Sequence, residues 1–233
     1  AAQRIEAAQE KFLALSSGQS DSREPEEIGA ALPRLLEAIE QRRDRQGAVT
    51  GLRTGFADLD RITNGLHRGD LIIVAGRPSM GKSCLALNIA ENVAIDGGTA
   101  LFFSLEMPKK QIIRRMITRR TGIPANAMRS GNISGDQRRE VQAALREIEK
   151  DYKNLIVIDN ATDFYTIVNT AKKQYDQHGL ACIMIDYLQL CRMKSAEKRY
   201  LQLGEMTATL KAMSIKYALP IVVLSQLSRI AEN

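Results

Sequence analysis

The sequence predicts an α/β fold, a mostly parallel sheet flanked by helices, preceded by a helical arm. Five short apolar runs are the first sign: LIIVA (71–75), ALFFS (100–104), LIVI (155–158), CIMI (182–185) and IVVLS (221–225). Stretches of helical period separate them. The runs are apolar throughout instead of alternating, the pattern of strands buried on both faces beneath crossover helices.

Taken in order, residues 1–49 read as the arm. Ile5, Ala8, Phe12 and Leu15 recur at helical spacing over 2–16, and SSGQSDSREP (16–25) is a polar, turn-rich linker. Ile28, Leu32, Leu35 and Ile39 line one stripe of a second helix over 26–46. Neither helix carries a core of its own, so the arm is expected to dock, the first helix onto an adjacent subunit. Residues 50–233 read as the main domain. Helices are expected at 83–93, at 108–120 with Gly122 as the stop, at 135–150 behind a Ser134–Gln137 capping box, at 163–178 and at 197–217.

The bulk properties exclude several classes. Hydrophobic residues make up 44% of the 233, enough for a sizeable core. No apolar run approaches the roughly 20 residues that cross a bilayer, and AAQRIEAAQEKF is too polar for a secretory signal. A soluble, cytoplasmic protein with no membrane partner is expected. Cys84, Cys182 and Cys191 show no CxxC spacing, which argues against disulfides and structural zinc and for small buried thiols. Residues 1–50 carry a net −2 and the remainder +8, a weak pointer to a polyanionic partner.

The strongest local signal is Gly76-Arg77-Pro78-Ser79-Met80-Gly81-Lys82-Ser83, the GxxxxGK[ST] pattern set between an apolar strand and a helix. A loop curled at a helix N-terminus aims backbone N–H groups inward, where the helix dipole also favours anions. Lys82 adds a cation for the β- and γ-phosphates, and the Ser83 hydroxyl a ligand for Mg²⁺. The expected nucleotide-binding set is Gly76 to Ser83 together with Cys84, and the expected cofactors are ATP and Mg²⁺.

Acids at strand ends complete such a site. Asp186 follows CIMI, where a carboxylate emerges at the C-terminal edge of the sheet and holds Mg²⁺. Glu106 stands two residues past the strand 100–104 and 24 after Lys82. It is placed either to activate water or to cap the helix beginning near Pro108, and spacing alone does not separate the two. Asp159 reads as a turn or cap residue. Gln226 ends the strand 221–225, where an amide can sense a terminal phosphate.

TGFADLDRITNGLHRGDL (54–71), AGRPSMGKS (75–83), FSLEMP (103–108), MIDYLQL (184–190) and LSQLSR (224–229), in that order, resemble the DnaB-type replicative DNA helicases over essentially all of 50–233. Recombinase-like and KaiC-like ATPases share the first of these segments, but SLEM with IDYLQL favours the helicases. The resemblance implies a RecA-like motor that hydrolyses ATP to move 5′ to 3′ on single-stranded DNA. It implies a homohexamer with ATP between subunits, and primase and a helicase loader as partners. It makes Glu106 the catalytic carboxylate, with Lys82 and Gln226 as further catalytic residues. Gln226 would lie on a strand between those of the phosphate loop and Asp186. The family's motor continues past the equivalent of Asn233, so its arginine finger and main DNA-binding loop are not identifiable in this stretch.

Arg114, Arg115, Arg119 and Arg120 crowd one helix, and Arg42, Arg43 and Arg45 end the arm. Both clusters read as solvated faces or as charges suited to a helix C-terminus. RMKSAEKR (192–199) follows the Asp186 strand, and its Lys194, Lys198 and Arg199 are candidates for DNA phosphate contacts.

Overall fold

The computed structural model describes residues 27–43, 49–193 and 198–227. The helix expected at 2–16, the linker 16–25, the ends of the second arm helix, Arg45 and Lys194 lie outside them. The chain divides into two units, Ala1–Ala48 and Val49–Asn233. In the first, α1 spans Ile28–Arg43. Its stripe of Ile28, Leu32, Leu35 and Ile39 is exposed.

The second unit opens with α2 (Ala57–Thr63), β1 (Leu71–Gly76), α3 (Lys82–Ile95) and β2 (Thr99–Ser104). It continues through α4 (Lys109–Thr121), α5 (Ala125–Ser130), α6 (Gly135–Asp151) and β3 (Leu155–Ile158). It closes with α7 (Phe164–His178), β4 (Leu180–Asp186), α8 (Arg199–Lys216) and β5 (Ile221–Gln226). A 3₁₀ turn covers Leu188–Leu190. The sheet order is β1-β5-β4-β2-β3, and every pairing is parallel.

The continuous apolar runs are explained by two core layers. Ala100 and Phe102 of β2, Cys182 and Met184 of β4, and Val222 and Leu224 of β5 face one layer, with α3 and α4. Leu101, Phe103, Ile183, Ile185, Ile221 and Val223 face the other, with α7 and α8. Alternate residues point to opposite faces of a strand, so a strand covered on both sides must be apolar at every position.

Helix ends follow their local chemistry. Ser134 and Gln137 make the capping box of α6, and Asp163 caps α7 by accepting from the Thr166 N–H. Pro108 precedes α4 as its N-cap, and Asp159 Oδ2 accepts from the Lys109 N–H at 2.6 Å. That bond gives the start of α4 to Asp159.

The TGFADLD segment proves to be a tie. Asp60, buried, accepts from the Thr54 N–H and hydroxyl, both at 2.8 Å, and from the Gly55 N–H at 3.2 Å. Asn92 on α3 donates to the Thr54 carbonyl at 2.8 Å. Gly55 has φ +80°, and a Cβ there would stand 2.1 Å from Asn92 Nδ2. Glycine is required at that position on both counts.

Candidate active site

β1 ends at Gly76 and α3 begins at Lys82, so the phosphate loop spans the strand-to-helix turn. Ser79 and Gly81 take positive φ of 65° and 86°, which curls the backbone around the start of α3. Lys82 folds over the loop, its Nζ donating to the carbonyls of Gly76 at 2.7 Å and Arg77 at 2.8 Å. An ammonium has a further N–H beyond those two.

Strand register brings the other predicted residues to the same edge. Gly76 pairs with Gln226 and Ser104 with Asp186. β5 lies between β1 and β4, so Gln226 lies on the strand between those of the phosphate loop and Asp186. One cavity of about 540 Å³ is lined by Ser79, Lys82, Ser83, Glu106, Asp186 and Gln226 among others. That volume suits a small-molecule site.

Asp186 is buried, and its Oδ2 has no hydrogen-bond partner. Burial raises its pKa above the ordinary carboxylate value, and nearby Glu106 raises it further. A hydrogen bond from Ser83 and the charges of Arg115 and Lys82 oppose the rise. An orphaned carboxylate oxygen beside a hydroxyl is the hard oxygen donor set that a Mg²⁺ shared with phosphates takes from a protein. The residues present fit that ion.

Glu106 is aimed by its neighbours. Ser104 donates to the Met107 carbonyl at 2.6 Å, closing the turn, and the Leu105 N–H bonds the Asp186 carbonyl at 2.7 Å. Leu105 packs into one core layer and Met107 into the other. Glu106, held between them, is exposed and lines the cavity. With α4 capped by Asp159, the alternative reading of Glu106 as that helix's cap falls away.

Gln226 is held through its backbone. Its N–H donates to Gln189 Oε1 at 3.3 Å, while Gln189 Nε2 donates to Ser225 Oγ at 2.7 Å and the Gln226 carbonyl at 3.3 Å. Gln189, in the turn after Asp186, was missed in the sequence because its partners are 36 and 37 residues away. Gln111, Arg115 and Tyr187 also line the cavity and were missed as site residues. Gln111 and Arg115 lie one turn apart on the helix after Glu106, a spacing that marks one face.

Several expectations need correcting. Cys84 is exposed and lines the cavity, whereas Cys182 and Cys191 are buried thiols with pKa values raised by burial to about 12 and about 11. Position 84 falls in the first turn of α3, which faces the cleft instead of the core. Of the α4 arginines, Arg119 and Arg120 lie in the last turn, as the helix-end reading expects, and both are paired instead of solvated. Arg119 pairs with buried Glu91 of α3, which also accepts from Tyr152 at 2.9 Å. Arg120 pairs with Glu147 at 3.0 Å and Asp151 at 2.9 Å on α6. Arg199 is exposed and donates to the carbonyls of Gln189 and Cys191, each at 2.9 Å.

Comparison with known proteins agrees with this architecture. Residues 51–233 match the DnaB-like helicase C terminal domain model. The chain is 36% identical to the replicative DNA helicase DnaB of Haemophilus influenzae over 234 residues, 98% of this chain and 50% of that protein. It is 38% identical to the replicative DNA helicase DnaC of Bacillus subtilis over 212 residues, covering 88% and 46%. The chain thus spans about half the length of the curated relatives it matches. A solved ATPase domain superposes with a TM-score of 0.78 at 32% identity, covering 90% of this chain and 74% of that one. A DnaB-like replicative helicase, studied with its primase interactions, gives 0.77 at 30% identity, covering 97% and 54%.

Proposed function

The chain belongs to the DnaB-like helicase C-terminal domain family, and from that premise we propose that it is the ATP-hydrolysing motor of a replicative DNA helicase. Its work is translocation 5′ to 3′ on single-stranded DNA and separation of the duplex at the fork. The observation that carries the reading is the convergence of Lys82, Ser83, Glu106, Asp186 and Gln226 on one cavity at the C-terminal edge of a parallel sheet.

In this reading the loop from Gly76 to Ser83 holds the phosphates of ATP through its backbone N–H groups, with Cys84 beside them. Lys82 exchanges a loop carbonyl for a phosphate oxygen. Ser83 and Asp186 hold Mg²⁺, which supplies charge neutralisation at the β- and γ-phosphates when bound. Glu106 orients the attacking water and accepts its proton, and its exposure keeps it within reach of solvent. Gln226, clamped at its backbone by Gln189, leaves its side chain to register the terminal phosphate. Six copies form the working ring, with primase and a loader as partners of the whole protein and the cytoplasm as its compartment.

The test is ATP hydrolysis by the full-length protein with and without single-stranded DNA, paired with a strand-separation assay. Stimulation by DNA and unwinding of a forked duplex are expected. Turnover indifferent to DNA, with no unwinding by an assembled ring, would overturn the reading.

A further inference from the structure

A second cavity, of about 320 Å³, adjoins the nucleotide cavity and shares two of its walls, Gln111 and Arg115. The rest of its lining is Arg114 of α4 and Ala125, Asn126 and Arg129 of α5. On α4, positions 111, 114 and 115 fall on one helical face, and on α5 positions 125, 126 and 129 do the same. The turn at Gly122, with φ +71°, lies between the two helices. Three arginines therefore line one small cavity, and among the described residues no acidic one lines it. Among the described residues, Arg114 Nε donates to the Lys110 carbonyl of its own helix, at 3.3 Å. Like charges gathered this way repel one another, and an anion relieves the repulsion.

Position says which anion. Arg115 lines the nucleotide cavity together with Glu106 and Asp186, so in the proposed reading the shared wall belongs to the end of the site where the phosphate bond is cleaved. Hydrolysis breaks the bond between the γ-phosphorus and the β–γ bridging oxygen. The water oxygen bonds that phosphorus, its proton passes to Glu106, and ADP and inorganic phosphate result. Arg129 and Asn126 are exposed, so the second cavity opens to solvent at its α5 wall. Guanidinium forks match phosphate oxygens better than point charges do.

We propose that this cavity is the exit station for inorganic phosphate, which moves from the cleaved nucleotide past Gln111 and Arg115 onto Arg114 and Arg129. The inference rests on the hydrolysis proposed above.

The test uses the full-length protein and sodium phosphate as the added product, with sodium chloride at matched ionic strength as control. Arg114→Gln with Arg129→Gln should raise the inhibition constant for phosphate on the order of 100-fold, about tenfold for each charge-assisted hydrogen bond lost. The KM for ATP and the affinity for ADP should stay within about twofold, because neither residue lines the nucleotide cavity. Arg129→Lys alone should keep part of the phosphate affinity. A phosphate inhibition constant unchanged in the double variant overturns the proposal. Accompanied by failed ring assembly, that result assigns the arginines to a neighbouring subunit; accompanied by weaker DNA binding, to DNA. Equal weakening of ADP and phosphate also overturns it, as does wild-type turnover indifferent to phosphate. A wild-type protein that does not hydrolyse ATP would instead sink the motor reading itself.

Discussion

Asp186→Asn should move stability in opposite directions depending on what is bound. The carboxylate is buried, and its Oδ2 has no partner. An unsatisfied buried polar atom costs about 1–3 kcal/mol, more when charged. Ser83, Lys82 and Arg115 offset part of that cost here, and asparagine leaves an amide in the same place. A net gain of about 1 kcal/mol is therefore expected without ligand, or roughly 2–4 °C in Tm for a domain of this size. The pH dependence has a definite sign. Because burial raises the native pKa, the native state holds its proton to higher pH than the unfolded chain does. The wild type should thus lose stability as pH climbs from the ordinary carboxylate range through the raised value. The variant should lack that component. With a non-hydrolysable ATP analogue and Mg²⁺ at about 100 times Kd, the wild type should gain about 2.7 kcal/mol and the variant much less, so the two melting curves exchange order. Scanning calorimetry in EDTA and then in Mg²⁺–nucleotide, from pH 5 to 8, reads all of this. A variant less stable than wild type in EDTA would refute the orphaned-carboxylate argument, and an undiminished gain from Mg²⁺–nucleotide would refute the metal assignment.

Other substitutions probe different links. Glu106→Gln should slow hydrolysis roughly 100-fold or more while nucleotide binding persists, since general base catalysis contributes at least that much; wild-type rates in single-turnover assays would remove Glu106 from the chemistry. Arg119→Ala should cost about 3 kcal/mol by urea denaturation, the low end for stripping a partner from a buried charge, because Tyr152 still bonds Glu91. Pairing it with Glu91→Gln should restore much of that loss, and strict additivity of the two would count against the pair. Gly55→Ala combines a positive φ with a Cβ 2.1 Å from Asn92, and should cost about 1–3 kcal/mol as Asn92 is driven off the Thr54 carbonyl. An unchanged denaturation midpoint would contradict that geometry.

What the sequence shows plainly are features whose cause is local. The central strands β2, β4 and β5 announce themselves because each is buried on both faces, and Ser134 with Gln137 announces α6 because a capping box is complete within four residues. The phosphate loop is legible for the same reason. Features that depend on distant partners stay hidden. Glu106 is divided between two roles until Asp159, 50 residues from the N–H it caps, takes one of them. Arg119 passes for a solvated charge because its partner Glu91 lies on a different helix, α3. The seven-residue α2 and six-residue α5 are too short to show a helical period, so the second cavity has no sequence signature.

The nucleotide cavity also contains a path by which phosphate contact would reach the end of β5. The Gly76 carbonyl accepts from Lys82 Nζ at 2.7 Å and from the Leu227 N–H at 3.1 Å. One acceptor therefore links the lysine assigned to the phosphates with the first residue beyond Gln226. The other side of that strand end is held by Gln189, in the turn that follows Asp186. If Lys82 leaves the carbonyl for a phosphate, the Leu227 N–H keeps its bond to Gly76 on the β1 side, but the acceptor that makes that bond loses its second donor, while the β4 side stays tied. A strand end restrained unequally on two sides will move when one restraint changes, whereas a strand buried on both faces will not. The two core layers hold the middle of β5 still, and the hydrogen bonds at its tip decide where Gln226 points. In the proposed motor, the consequence of phosphate contact would therefore appear at residues 226 and 227, not in the middle of the sheet.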